Sequence, residues 1–224
     1  MPLDITRIQA LCFDVDGTLR DTDDQYVEWL AGYLRTVSFL LPGKEPQVLA
    51  RRLVMAIEDP GNFVFNLIDV MGIDNLISRS RPVIEKTQAR KVTNLLIISG
   101  IGEMLEALGQ RYPMAIISTR SQLTTLDFLE GSGLRRFFSV IVTGQTCART
   151  KPHPMPVLWA AAQMSVPPEA CLMVGDTTVD IRAGRAAGAQ TAGVLCGFGM
   201  QDELLRAGAD VVLKSTPELT YYLL

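Results

Sequence analysis

Residues 8–19 read IQALCFDVDGTL, and this stretch decides the fold class. It begins as a short, nearly continuous apolar run, which is typical of a strand buried on both faces of a parallel sheet. The run stops at two carboxylates, Asp14 and Asp16, which a purely structural strand end does not require. Gly17 and Thr18 follow and allow a sharp turn, so the two carboxylates need not be equivalent. The stretch therefore predicts a buried strand with polar chemistry at its carboxyl end.

Further apolar runs recur along the chain, and helical patterns separate them. The runs cover 114–117, 140–142, 170–174 and 191–195, and the helical patterns cover 101–111, 123–130, 155–164 and 181–187. Strands and helices that alternate at this spacing indicate right-handed crossovers and a parallel sheet covered on both faces. We predict a doubly wound, Rossmann-like α/β core.

The stretch 21–94 breaks this alternation. It offers no convincing buried strand, but it contains helix-like segments at 26–39, 47–57 and 83–90. Because the insertion follows the first strand directly, we expect it above that strand's carboxyl end, where open α/β sheets bind their ligands. The chain is therefore predicted to form a core domain of residues 1–20 and 95–224 and a small helical cap domain of residues 21–94.

The composition is that of an ordinary globular protein, with 48% hydrophobic and 20% charged residues in a chain of 224. The formal net charge is -3 and the basic residues are scattered, so we expect no nucleic-acid partner. We see neither a secretory leader nor an apolar stretch of membrane-spanning length, and we expect a cytoplasmic protein with no membrane partner. The cysteines are far apart and are expected to be buried, reduced thiols: Cys12, Cys147, Cys171 and Cys196.

A second acidic segment, VGDTTVD at 174–180, lies near the other end of the core. Asp176 comes directly after a predicted strand, and Asp180 lies at the start of a helix, where the helix dipole alone could explain it. If these two acids converge with Asp14 and Asp16, a hard divalent cation with oxygen ligands would relieve their repulsion. Mg²⁺ suits such a site when the ion also keeps waters and substrate phosphate.

The remaining predicted strand ends carry groups that a phosphate needs. Ser118 and Thr119 follow one strand, and Lys151 lies in the loop after another. Hydroxyl groups and a lysine ammonium are donors and counter-charges for a transferring phosphoryl group. The sequence thus holds all the parts of a phosphoryl-transfer site.

Taken in chain order, these segments resemble the four motifs of the haloacid dehalogenase superfamily. The likeness is to its phosphatase-type members with a helical cap after the first motif, similar to phosphoglycolate phosphatases. The first motif is 14–19, the second Ser118, the third Lys151 and the fourth 175–180. All four occur in the family's order and spacing, and the likeness covers essentially the whole chain.

The resemblance implies a Mg²⁺-dependent phosphohydrolase that works through an aspartyl-phosphate intermediate. Asp14 would attack phosphorus and bind the metal. Asp16 would protonate the leaving oxygen, then activate water, and would touch the metal only through its backbone carbonyl. Asp176 would bind the ion directly and Asp180 would hold it through water. Relatives that cleave carbon–halogen bonds lack the second aspartate, so Asp16 argues for a phosphorylated substrate.

The resemblance also assigns the phosphate-binding groups. Ser118, with Thr119, would bind the phosphoryl group, and Lys151 would neutralise charge between that group and Asp14. The second motif reads Ser118-Thr119-Arg120, where related sequences often have threonine followed by asparagine and lysine. Ser118 keeps the hydroxyl group. Arg120 could contact substrate, but a solvated surface side chain is what we expect of it.

Three other residues near the motifs have simpler explanations. His153, the only histidine, is expected to belong to a backbone-positioning loop. Gly184 is expected to allow close helix packing, and Gly188 to end that helix.

The substrate is expected to be a small phosphorylated metabolite such as a two- or three-carbon acid phosphate, a sugar phosphate or a nucleotide. A phosphosugar mutase and a pyrophosphatase would use the same residues, and they remain alternatives. A non-catalytic binding protein on the same fold is the alternative from another class. The sequence is compatible with a monomer or a homodimer.

Overall fold

The computed structural model describes residues 3–21, 32–33, 35 and 96–224. In this part of the chain six strands are present: β1 Ala10–Phe13, β2 Met114–Ile117, β3 Val140–Val142, β4 Cys171–Gly175, β5 Gln190–Val194 and β6 Val211–Leu213. They form one sheet in the order β3-β2-β1-β4-β5-β6, and every neighbouring pair is parallel. The predicted doubly wound α/β core is confirmed.

The described helices of the core are α1 Ile101–Gly109, α2 Gln122–Gly131, α3 Met155–Gln163, α4 Thr178–Ala186, α5 Gln201–Ala207 and α6 Leu219–Leu223. The first four agree with the predicted helical segments, apart from a few residues at their ends. The sequence analysis missed β6, α5 and α6. These elements have between three and seven residues, and so short a segment does not display a hydrophobic period.

The two faces of the sheet carry separate hydrophobic clusters. Along β1, Leu11 and Phe13 belong to one cluster, while Ala10 and Cys12 belong to the other. This alternation follows from the two-residue period of a strand. Residues of α1, α2 and α6 complete the first cluster, and residues of α3 and α4 complete the second. Burial on both faces explains why the strands are continuous apolar runs.

Two glycines of the α4 region have the structural roles predicted for them. A Cβ atom at Gly184 would lie 2.6 Å from Cγ2 of Thr191 and 2.8 Å from Cβ of Met173, so the glycine lets α4 approach the sheet closely. Gly188 follows α4 with a φ of +84°, a conformation that favours glycine at helix ends.

The insertion leaves and rejoins the core at one place. The backbone N–H of Asp21 donates to the carbonyl of Leu96 at 2.9 Å, and that of Ile98 donates to the carbonyl of Leu19 at 3.1 Å. The chain divides into two compact units, Met1–Thr22 with Asn94–Leu224, and Asp23–Thr93.

Within the second unit the structure describes Gly32, Tyr33 and Arg35, which are helical. The other residues of the predicted helical segments 26–39, 47–57 and 83–90 lie outside the described residues.

All four cysteines are free thiols. Cys12 and Cys171 are buried as predicted, whereas Cys147 and Cys196 are only half-buried. A helix that spans a bilayer needs about 20 mostly apolar residues, and the described part of the chain contains no such helix.

The close approach of α4 to the sheet generates a stability prediction. Gly184→Ala should lower the free energy of unfolding by about 1–3 kcal/mol, because the added methyl group meets the rigid Cβ of Met173. Urea denaturation monitored by circular dichroism measures this change. The matched control is Gly102→Ala in α1, where an added Cβ meets nothing within 4 Å, and it should raise stability by up to about 1 kcal/mol. Equal stability of Gly184→Ala and the wild type would show that α4 does not pack as described.

Candidate active site

The candidate active site lies at the carboxyl edge of the sheet, because parallel strands all end there. Asp14 follows β1, Ser118 follows the neighbouring strand β2, and Asp176 follows β4 on the other side of β1. Lys151 comes from the loop between β3 and α3, and Asp180 from the first turn of α4. Sheet topology thus brings together residues that are far apart in sequence.

A buried lysine joins two of the carboxylates. Nζ of Lys151 donates to Oδ1 of Asp14 at 2.6 Å and to Oδ1 of Asp180 at 2.5 Å. The lysine side chain is 3% exposed and that of Asp180 is 2% exposed, so water screens these charges little. The lysine ammonium therefore holds the two carboxylates in fixed positions.

Asp180 has a second set of contacts that belong to α4 itself. Its Oδ2 accepts hydrogen bonds from the backbone N–H of Thr177 at 3.1 Å and from the Thr177 hydroxyl at 2.6 Å. One oxygen of Asp180 therefore serves the helix start, and the other contacts Lys151. Its role toward a metal ion remains a prediction.

Asp176 is fully buried, and only one of its two carboxylate oxygens has a hydrogen-bond partner among the described residues. Its Oδ2 accepts a hydrogen bond from the backbone N–H of Phe198 at 2.8 Å, whereas its Oδ1 has no hydrogen-bond partner among the described residues. A buried carboxylate oxygen without a partner is costly. Contact with a cation would satisfy it.

The three buried carboxylates form a compact group. One oxygen each of Asp14, Asp176 and Asp180 lies within 4.8 Å of the others. Three carboxylates against the single ammonium of Lys151 leave an excess of negative charge, and the donor set is entirely oxygen. These features fit a hard divalent cation.

Burial and mutual repulsion change the ionisation of this group. Burial raises the pKa of Asp14 from its ordinary 3.8 to about 7, although the ammonium of Lys151 opposes the change. Burial, together with the charges of Asp180 and Asp14, raises the pKa of Asp176 well above its ordinary value. Burial alone would lower the pKa of Lys151, but the two carboxylates it contacts outweigh that effect and raise it. Without a cation, Asp14 and Asp176 hold their protons unusually tightly.

Asp16 lies apart from the three-carboxylate group and contacts two arginines. Its Oδ1 is 3.2 Å from Nη1 of Arg20, and its Oδ2 is 3.1 Å from Nε of Arg120. The expectation that Arg120 is a solvated surface side chain is therefore wrong. Arg120 is only 30% exposed because it extends from the β2 loop onto the carboxylate of the β1 loop.

Ser118 and Thr119 lie at the end of β2. Ser118 is 4% exposed, its backbone N–H donates to the carbonyl of Val142 at 2.9 Å, and its hydroxyl oxygen accepts the backbone N–H of Arg120 at 3.2 Å. Thr119 is half-buried beside it. Their assignment to phosphate remains a prediction.

The loop role predicted for His153 is confirmed. Its Nδ1 accepts a hydrogen bond from the backbone N–H of Met155 at 3.2 Å, and the backbone N–H of His153 donates to the carbonyl of Thr150 at 2.9 Å. The histidine thus shapes the turn that leads from Lys151 into α3.

Two contributors to the site escaped the sequence analysis. Arg20 could have been noticed, because it stands four residues after Asp16 and has the opposite charge. Phe198 contributes only its backbone N–H, so its side chain carries no signal. The flanking glycines were a weak hint, since a Cβ at Gly197 or Gly199 would collide with Asp176.

Comparisons with known proteins agree with this geometry. The profile of the haloacid dehalogenase-like hydrolase family matches residues 11–194. Pyrophosphatase PpaX of Bacillus pumilus is 30% identical over 213 residues, which cover 95% of this chain and 94% of that protein. A phosphoglycolate phosphatase of Xanthomonas campestris is 27% identical over 218 residues, covering 94% of each chain. A haloacid dehalogenase-like hydrolase from Streptococcus pneumoniae shares the fold with a TM-score of 0.68 at 23% identity, covering 98% of this chain and 100% of that one.

The raised carboxyl pKa values predict how cation binding depends on pH. In the metal-free protein the pKa of Asp14 is about 7, against an ordinary 3.8. Protonated Asp14 therefore contributes fully to the stability of the folded state below pH 3.8, and this contribution is lost as the pH rises through 7. A cation competes with these protons. Magnesium chloride should therefore raise the unfolding midpoint by several degrees at about pH 8 and by much less at about pH 5.5.

Thermal unfolding in EDTA and in excess magnesium chloride measures this difference. Asp176→Asn should abolish the increment, whereas Asp202→Asn, an exposed acid in the first turn of α5, should retain it. An equal increment at both pH values would contradict cation binding at the three-carboxylate group.

Proposed function

The chain belongs to the haloacid dehalogenase-like hydrolases, and we propose that it hydrolyses a small phosphomonoester through an aspartyl-phosphate formed on Asp14. The observation that carries this proposal is the contact of Lys151 with both Asp14 and Asp180 inside a buried acidic group. A structural ion pair would need one carboxylate. A phosphoryl-transfer site needs a fixed nucleophile, a counter-charge and a cation site, and these residues supply all three.

In the first step, a carboxylate oxygen of Asp14 attacks phosphorus. A bond forms between that oxygen and phosphorus, and the bond from phosphorus to the substrate's leaving oxygen breaks. Asp16 gives its proton to the leaving oxygen. Lys151 keeps Asp14 in place and balances negative charge beside it, while Ser118 and Thr119 hold the phosphoryl oxygens.

In the second step, a water molecule attacks phosphorus of the aspartyl-phosphate. Asp16, now a carboxylate, takes a proton from that water, and the bond between phosphorus and Asp14 breaks. Inorganic phosphate leaves and both aspartates return to their starting forms. Two easier steps thus replace one very slow hydrolysis.

We propose Mg²⁺ as the cation, because an all-oxygen donor set that also keeps waters and phosphate suits it. Asp14 and Asp176 would hold the ion directly, Asp16 through its backbone carbonyl and Asp180 through water. The unpartnered Oδ1 of Asp176 supports a direct contact. When bound, the ion supplies positive charge to the phosphoryl group.

The domain division and the cellular setting are also proposals. The proposed division is a core domain of residues 1–20 and 95–224 and a helical cap domain of residues 21–94. The backbone hydrogen bonds that join residues 19–21 to residues 96–98 support an insertion at this point. A cytoplasmic location is supported by the four free thiols.

Pyrophosphate is the second candidate substrate. The 30% identity to pyrophosphatase PpaX of Bacillus pumilus favours it, and the same residues would transfer a phosphoryl group from pyrophosphate to Asp14. The leaving group of pyrophosphate is phosphate itself. Release of phosphate from pyrophosphate, but not from phosphomonoesters, would identify pyrophosphate as the substrate.

Replacement of the two aspartates of the first motif separates their roles. Asp14→Asn should lose phosphate release entirely, because no other group forms the covalent intermediate. Asp16→Asn should keep a trace, with a loss of about 10²–10⁴-fold, which is the usual contribution of acid–base catalysis. The measurement is phosphate release with Mg²⁺ from a panel of phosphoglycolate, a sugar phosphate, pyrophosphate and 4-nitrophenyl phosphate.

Asp202→Asn serves as the control for loss of one carboxylate, because Asp202 is exposed, and it should have wild-type activity. Full activity of folded Asp14→Asn would refute the assignment of the nucleophile. If the folded wild-type protein released no phosphate from any substrate of the panel, this result would count against the proposed reaction.

A further inference from the structure

The Asp16 carboxylate is held on both oxygens by arginines from two different loops. Arg20 contacts Oδ1 from the same turn, and Arg120 contacts Oδ2 from the loop after β2. The exposed fractions of the three side chains lie between 20% and 31%. Arg20 donates a hydrogen bond to Oδ1, and the Arg120 guanidinium forms an ion pair with Oδ2. Both arginine side chains stay positively charged.

Arg120 is fixed at its backbone, which gives its side chain a defined starting point. Its N–H donates to Oγ of Ser118 at 3.2 Å, and its carbonyl accepts the N–H of Gly144 at 2.8 Å. A Cβ at position 144 would collide with the carbonyl of Thr119, so only glycine allows the loop after β3 to approach so closely. The loop after β3 thus supports the loop that carries Arg120.

We propose that Arg120 is a positioning residue that orients the Asp16 carboxylate for hydrolysis of the phosphoenzyme. This inference rests on the proposed function. The second step needs a proton acceptor aimed at the attacking water, and Arg20 contacts only one oxygen of the Asp16 carboxylate, from within the same turn. Arg120 fixes the plane of the carboxylate from outside that turn, and each oxygen keeps a lone pair for the water's proton.

The kinetic consequence depends on which step slows. With 4-nitrophenyl phosphate, the leaving 4-nitrophenolate needs no proton, so the first step does not depend on Asp16. In a two-step reaction kcat/KM contains binding and the first step only, whereas kcat also contains the second step. A defect confined to the second step therefore lowers kcat and KM together and leaves kcat/KM unchanged.

The test is Arg120→Met with 4-nitrophenyl phosphate and Mg²⁺, in steady state and by rapid quench. We expect kcat to fall by about 10- to 100-fold, which is the usual cost of misplacing a catalytic group. KM should fall by a similar factor, and a burst of 4-nitrophenolate close to one per enzyme molecule should appear. Arg120→Lys, which keeps a cation, should restore part of kcat. Arg120→Gln should behave like Arg120→Met and serves as the second variant if the methionine disturbs folding.

The matched control is Arg136→Met, because Arg136 is 73% exposed and pairs with Glu106 on the surface. It should have wild-type kcat, KM and burst. A fall in kcat/KM of Arg120→Met without a burst would overturn the proposal, since Arg120 would then act on substrate binding or on the first step. Unchanged kinetics of Arg120→Met would also overturn it. If the wild-type protein released no 4-nitrophenolate, the proposed function itself would fail, which is a distinct result.

Discussion

The site depends on one interaction, the contact of the buried Lys151 ammonium with Asp14 and Asp180. Burying a carboxylate without a partner is strongly unfavourable, and the lysine relieves this cost for two carboxylates at once. It leaves the third, Asp176, with an unsatisfied oxygen. A divalent cation would satisfy that oxygen and offset the negative charge of the three carboxylates.

The fold places the residues that make this contact. Asp14, Ser118 and Asp176 each follow a buried strand, and the parallel arrangement brings those strand ends to one edge of the sheet. Close packing of α4, permitted by Gly184, sets the position of the first turn from which Asp180 projects. Strand, helix and site are therefore linked, because a shift of α4 would move one of the two carboxylates that Lys151 contacts.

Much of this could be predicted from sequence, for physical reasons. β2 and β3 were located to the residue, because strands buried on both faces are continuous apolar runs. Asp14, Asp16 and Asp176 were found because carboxylates that follow a buried strand so closely call for an explanation, and Lys151 was found because a phosphate needs positive charge. β6, α5 and α6 were missed because they are too short to show a period. The contact between Arg120 and Asp16 was missed for another reason: it joins two loops, and only the three-dimensional fold brings them together. The contact of Phe198 with Asp176 could not be predicted, because it uses a backbone N–H that almost every residue carries.

The proposed reaction requires that Asp14 carries the phosphoryl group during turnover. The most direct measurement is acid quenching of the wild-type protein during turnover with Mg²⁺, followed by proteolysis and tandem mass spectrometry. We expect one added phosphoryl group on Asp14, present only while substrate remains. A phosphoryl group on another residue, or active turnover with none on Asp14, would contradict it.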